Sequence, residues 1–81
     1  MTKFQLLSSL DKLGILQVLT SEGIINSRIC TRYERYKAFL AFCDAHSSEK
    51  RSLIIIDWSI EMCLSTQSIY NDIRSMEKQI F

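Results

Sequence analysis

Gln67, Asn71, Arg74 and Lys78 recur at intervals of four, three and four residues. At about 100° per residue, this spacing sets them on one stripe of a helix. The stripe begins with two amides and ends with two cations. An amide can pair bidentately with the edge of adenine, and a guanidinium can do so with guanine. Gln67 and Asn71, early on the stripe, are candidates for reading base edges. Arg74 and Lys78, farther along, suit phosphates. Ser68 and Tyr70 flank the stripe, and Tyr70 can meet a thymine methyl or a phosphate. The same stripe also serves as the solvated outer face of an amphipathic helix, which needs no partner.

A second cationic group is Arg28, Arg32 and Arg35. These side chains fall along one flank of a predicted helix, near its start. Cations near a helix N-terminus oppose the macrodipole. Their presence there points to an outside anion such as phosphate, or else to a solvated flank.

Residues for catalysis or metal binding are scarce. His46 is the sole histidine, and it lies in a polar stretch. Cys30, Cys43 and Cys63 have no CxxC spacing, so none offers a zinc ligand pair. His46 follows Cys43 by three residues, but no further pattern supports an activated thiolate. Two isolated glycines cannot build a phosphate-cradling loop. The expectation is a protein that is not an enzyme and holds no cofactor or metal. The cysteines read as small buried hydrophobes of a reducing compartment.

The elements that position these groups follow from apolar spacing. Phe4, Leu6, Leu7, Leu10, Leu13, Leu16 and Val18 predict a helix over 3–20, with Gly14 as its weak point. The Thr20-Ser21-Glu22-Gly23 cluster ends it. Asn26-Ser27 offers a cap for a helix over 28–45, whose apolar stripe is Ile29, Tyr33, Tyr36, Leu40 and Cys43. Phe39 and Phe42 continue the arginine flank, and with Trp58 they read as core. His46 to Arg51 is a loop. Ser52 can cap a helix from Leu53 to Cys63, apolar nearly all round and so expected to be buried on most sides. Leu53-Ile54-Ile55-Ile56 also fits a short buried strand. Ser65 caps a last helix from Thr66 to about Gln79, anchored by Ile69, Ile73, Met76 and Ile80.

The segment Trp58-Ser59-Ile60-Glu61-Met62-Cys63-Leu64-Ser65-Thr66-Gln67-Ser68-Ile69-Tyr70 resembles the helix-turn-helix superfamily of bacterial and phage regulators and transposase N-terminal domains. Ser59 stands where that motif has a small residue at the helix crossing. Trp58 and Met62 are the apolar residues before the turn, Leu64-Ser65 the apolar residue and cap, and Ile69 the β-branched lock. Leu64 to Tyr70 is similar to the "L-S-x-x-T-V-Y" opening of a recognition helix. Two positions depart from the pattern. Cys63 replaces the usual turn glycine, at a cost of roughly 1 kcal/mol or more if its backbone is left-handed. Asp72 occupies a place that is often apolar. Arg32-Tyr33-Glu34-Arg35-Tyr36 is also similar to small helix-turn-helix proteins of bacterial mobile elements. The resemblance implies an all-α fold, a small helical bundle with a C-terminal helix-turn-helix at about 52–79; no wing-forming hairpin follows that segment, so no wing is expected. It implies that the second helix enters the major groove of double-stranded DNA.

The totals bound this reading. A chain of 81 residues makes a single domain the default, here 1–81. No Pro and 2 Gly leave few turns for an all-β fold. The net charge of +1 supplies no overall basic excess for phosphate. No signal peptide or apolar span is visible, so the expectation is a cytoplasmic protein without a membrane. Two functions remain. One is a small transcription regulator or accessory factor of a phage or mobile element, binding DNA as a homodimer through its leucine-rich N-terminal helix. The other is a protein-interaction module in which that helix binds a protein partner and the helix-turn-helix is scaffold. Gathering of Arg28, Arg32, Arg35, Arg74 and Lys78 on one face would favour the first.

Overall fold

The computed structural model describes residues 1–80. Their order is α1 (Lys3–Lys12), α2 (Ile15–Ser21), α3 (Ser27–Ala45), α4 (Arg51–Met62) and α5 (Thr66–Met76). No named strand occurs among the described residues, and 53–56 are helical. The all-helical expectation therefore holds, with five helices in place of four.

The extra helix arises at Gly14. Its φ of 74° is left-handed, and its N–H closes on the Asp11 carbonyl at 3.0 Å. This conformation ends α1 and turns the chain into α2, so 3–20 is a helical hairpin and not one rod. Glycine is the residue that adopts it without a Cβ penalty. At the start of α1, Thr2 and Gln5 make a reciprocal capping box: Thr2 Oγ1 accepts from Gln5 N at 3.1 Å, and Thr2 N donates to Gln5 Oε1 at 2.8 Å. The leucines of the predicted 3–20 helix consequently divide between different surroundings. Leu7 is the buried leucine of α1, Leu6 and Leu10 are half-buried, and Leu13 is exposed at the hairpin bend.

α3 starts where its cap predicted, with Asn26 Oδ1 accepting from Arg28 N at 2.8 Å. It is the longest helix and the one on which the others lean. Tyr33, Tyr36 and Phe39 are buried along it, with Phe42 partly buried beside them. Phe39 and Phe42 both reach Trp58 of α4, at ring-centroid distances of 6.2 and 5.1 Å. The Tyr33 hydroxyl donates to Asp11 of α1 at 2.9 Å, and Thr20 of α2 touches Cys30 Sγ at 2.9 Å.

α4 begins at Arg51, capped by the backbone of Lys50 alone, so Ser52 lies inside the first turn and is not the cap. Its interior face is only Ile54, Ile55 and Trp58. Leu53, Ile56, Ile60 and Met62 are exposed, Ile60 at 72%. The expectation of burial on most sides fails here, because the layer beyond α4 is absent from the chain's own packing.

α5 ends at Met76, three residues short of the predicted Gln79. Glu77 and the extended backbone after it have other partners. Lys78 O accepts from Lys3 N at 2.9 Å and Ile80 N donates to Met1 O at 3.0 Å, around an antiparallel Thr2–Gln79 bridge. Ile80 thus leaves the helical stripe. Lys78 leaves it as well and lies beside the start of α1.

Candidate nucleic-acid interface

The turn between α4 and α5 is three residues, Cys63, Leu64 and Ser65. Leu64 N donates to Ser59 O at 3.0 Å and Cys63 N to Ile60 O at 3.4 Å. This nested pair is the Schellman ending of a helix, whose left-handed position usually holds glycine. Cys63 holds it here, at φ 54° and ψ 36°. Leu64 then packs against the core, and Ser65 Oγ accepts from Ser68 N at 3.1 Å to open α5. The chain thus passes from α4 to α5 with the Ser59 and Ile60 carbonyls and the Ser68 N–H met by local partners.

On α5 the apolar and polar stripes separate as their spacing predicted. Ile69 and Met76 are buried, Met76 at 0% exposure, and Ile73 is partly buried. Gln67, Asn71 and Arg74 are exposed on the opposite side. Gln67 Nε2 donates to Asn71 Oδ1 at 3.1 Å. This bond orients the two amides while leaving Gln67 Oε1 and the Asn71 amino group toward solvent, an acceptor and a donor side by side. Arg74 makes no ion pair among the described residues. Tyr70 is exposed, whereas the Ser68 hydroxyl is engaged with Ser65 Oγ at 2.9 Å. The helical stripe therefore carries Gln67, Asn71 and Arg74 without Lys78.

The arginine group sits beside this helix. Arg28, Thr31, Arg32 and Arg35 line one open cleft of about 330 Å³. Asp72, which follows Asn71 on α5, is buried at 5% exposure and faces it. Arg35 Nη2 bonds to Asp72 Oδ1 at 2.8 Å, and Arg32 Nε stands 3.9 Å from the same oxygen. A carboxylate removed from water needs such partners. Asp72 was legible as unusual, since it lies three residues after Ile69 and four before Met76, on the inward half of α5. Its arginine partners were not, because Arg35 lies 37 residues earlier in the chain and Arg32 farther still.

A second polar junction joins α3, α4 and the end of α5. Glu77 Oε2 accepts from Tyr36 Oη and from Arg51 Nη2, each at 2.7 Å. Partial burial raises the Glu77 carboxyl, but the bonds from Arg51 and Tyr36 outweigh it and hold the group below its ordinary 4.5. Burial and the Glu77 carboxylate push the Tyr36 phenol up to about 12. Nothing in the spacing of Tyr36, Arg51 and Glu77 announces this contact.

His46 stacks on Phe42 at 4.2 Å and contacts the Phe42 carbonyl at 2.9 Å. Burial pushes the Cys43 thiol up, away from thiolate. No helix of the described residues is long and apolar enough to cross a membrane.

No family model, curated protein or solved structure matches the chain at a significant level.

Proposed function

We propose that the chain is a DNA-binding protein of the helix-turn-helix type, with α5 as its recognition helix. One observation carries the reading: α5 is held by buried Ile69 and Met76 on one side and presents Gln67, Asn71 and Arg74, with Tyr70 beside them, on the other. A short capped turn from α4 precedes it. Gln67 and Asn71 have the donor and acceptor set for adenine, and Arg74 has the fork for guanine or a phosphate. Arg28 and Arg32 are the nearby cations on α3. The finer reading is a small transcription regulator or an accessory factor of a mobile element. A homodimer would add phosphate contacts that a net charge of +1 does not supply.

The test is selection from randomised duplex DNA at two salt concentrations. Asn71→Ala or Gln67→Ala should cost ~1–3 kcal/mol on the preferred site and relax base choice there. A folded wild-type protein that enriches no sequence and binds no duplex at low salt would overturn the reading.

A second reading is an interaction module. It is favoured by the exposure of Leu13, Val18 and Ile24 around the α1–α2 hairpin. Duplex binding discriminates: the wild-type chain binds duplex DNA under the first reading, whereas under the second it binds none and a charged substitution at Val18 abolishes partner binding.

A further inference from the structure

The cleft on α3 has features that a solvated flank does not require. Three guanidiniums, from Arg28, Arg32 and Arg35, line it together with the Thr31 hydroxyl. The carboxylate that pairs with two of them is the buried Asp72. Three cations against one anion leave the group with two net positive charges. Arg28 makes no ion pair among the described residues. Arg28 and Arg32 also lie toward the positive end of α3, where cations repel the helix dipole. Mutual repulsion of this kind is relieved by an anion in the cleft. The four residues are not equivalent. Arg35 Nε is buried without a hydrogen-bond partner, and its Nη2 is committed to Asp72, so Arg35 faces inward. Arg28, Thr31 and Arg32 are exposed and can reach a ligand.

We propose that Arg28, Thr31 and Arg32 form a seat for one tetrahedral phosphate of a nucleic-acid backbone, and that Asp72, through Arg35, sets the position of that seat relative to Asn71. The proposal rests on the reading of α5 as the DNA-contacting helix. Asp72 and Asn71 are adjacent on one helix, so the carboxylate that grips the α3 arginines also carries the base-reading amide. Phosphate contacts fix register on a duplex and base contacts specify sequence. Here a single helical step links the two. Arg32 bridges both roles, with Nε near Asp72 and its terminal nitrogens left for the phosphate. The Thr31 hydroxyl now donates to Ser27 O at 3.1 Å, and it can turn toward a phosphate oxygen by rotation about one bond. Asp72 itself makes no ligand contact. It is a positioning residue, and its charge also tempers attraction for phosphates at large.

The experiment measures binding of the full chain to its selected duplex and to an unrelated duplex over a range of salt. Arg28→Gln should weaken both duplexes alike, and Arg28→Gln and Arg32→Gln should each lower the salt slope by about one. Asp72→Asn should behave in the opposite way. The unrelated duplex should bind more tightly, and the ratio between the two duplexes should fall by about tenfold, the discrimination of one base pair. Arg35→Lys keeps the charge but loses the fork, so it should lower the ratio without lowering the salt slope; it stands in if Asp72→Asn fails to fold by circular dichroism. Unchanged slopes in the Arg28 and Arg32 variants overturn the seat. An unchanged ratio in folded Asp72→Asn or Arg35→Lys overturns the positioning role. Inorganic phosphate, titrated while the arginine Nε resonances are followed, separates the sources. If wild type binds no duplex yet Arg28 and Arg32 respond to phosphate, the DNA reading fails and the seat is one for a free oxyanion. If neither ligand acts, both fail.

Discussion

α4 and α5 are neighbours in sequence, are joined by three residues and lean on the same α3, yet they turn opposite chemistry outward. α4 shows solvent Leu53, Ile56 and Ile60; α5 shows Gln67, Asn71 and Arg74. The inward faces are alike, Ile54, Ile55 and Trp58 on one and Ile69 and Met76 on the other. Core packing therefore does not explain the contrast. The amide and guanidinium face of α5 suits a ligand with ordered hydrogen-bonding edges. The branched aliphatic face of α4 gains nothing from such a ligand.

The largest effect should come from the inward side. Ile69→Ala removes a side chain that is fully enclosed, with an expected loss of ~2–5 kcal/mol. Ile60→Ala, on the outward side of α4, should change stability by no more than ~0.5 kcal/mol. Urea unfolding of both variants checks the contrast. Comparable losses would show that the outer stripe of α4 is covered after all.

Next in size is the ion pair that ties α5 to α3. Arg35→Met leaves the buried Asp72 carboxylate with only Arg32, at 3.9 Å. Removing one partner of a fully buried pair costs ~3–5 kcal/mol. The Arg35 side chain is 30% exposed, so the expected loss is nearer ~2 kcal/mol. Adding Asp72→Leu to Arg35→Met should recover part of it, since no buried charge then lacks a partner. Thermal melts of the two variants decide the matter: a double variant less stable than the single would remove Asp72 from this account.

The fold was legible wherever burial followed one helical period. Ile69 and Met76 opposite Gln67 and Asn71 is such a case, and so is the α3 stripe of Tyr33 and Tyr36. Caps were legible at Asn26 and Ser65, where a short polar side chain precedes a periodic run. Ser52 fitted the same pattern but lies one residue inside the helix. The ends were less readable. α5 stops at Met76 because the backbone beyond it pairs with residues 1–3, a contact between the two extremes of the chain. The break at Gly14 was visible as a weak point, and the turn it makes was not, since glycine also occurs within helices at a cost of ~1 kcal/mol. In the candidate site, the side chains that face solvent could be picked from the spacing. The Asp72 pairing that places them could not, because it joins two helices across long sequence separation.

A smaller effect attaches to pH and to the junction that holds the far end of α5. The Glu77 carboxyl is held below 4.5 in the folded chain. A depressed carboxylate contributes stability above its unfolded value and loses it as pH falls through the folded value. Stability should therefore decline below about pH 4.5, the unfolded reference value. Glu77 is 43% exposed, so the change is modest. Tyr36 acts at the other extreme: its raised phenol favours the folded state up to about pH 10, and that contribution is lost as pH rises toward 12. Glu77→Gln should flatten the acid limb, measured by urea unfolding at about pH 6 and about pH 3. An acid limb as steep as that of wild type would place the titrating group elsewhere.

The smallest effect concerns the turn that separates the two faces. Cys63 is the one non-glycine residue with positive φ among the described residues. A left-handed conformation costs an ordinary residue ~1–2 kcal/mol. The thiol returns little, since its one hydrogen bond is a long contact of 4.0 Å to the Ile60 carbonyl and the residue is exposed. Cys63→Gly removes the strain but loosens the unfolded chain, which takes back ~0.4–1 kcal/mol. The net result should be a gain of ~0.5 kcal/mol, seen as a higher urea midpoint with an unchanged slope. Cys63→Val should lose stability instead, because branching at Cβ tightens the clash. The two substitutions bracket the native residue from opposite sides. If glycine also destabilises, the thiol has packing value that its exposure does not reveal, and the turn that sets α4 against α5 is held by more than its backbone.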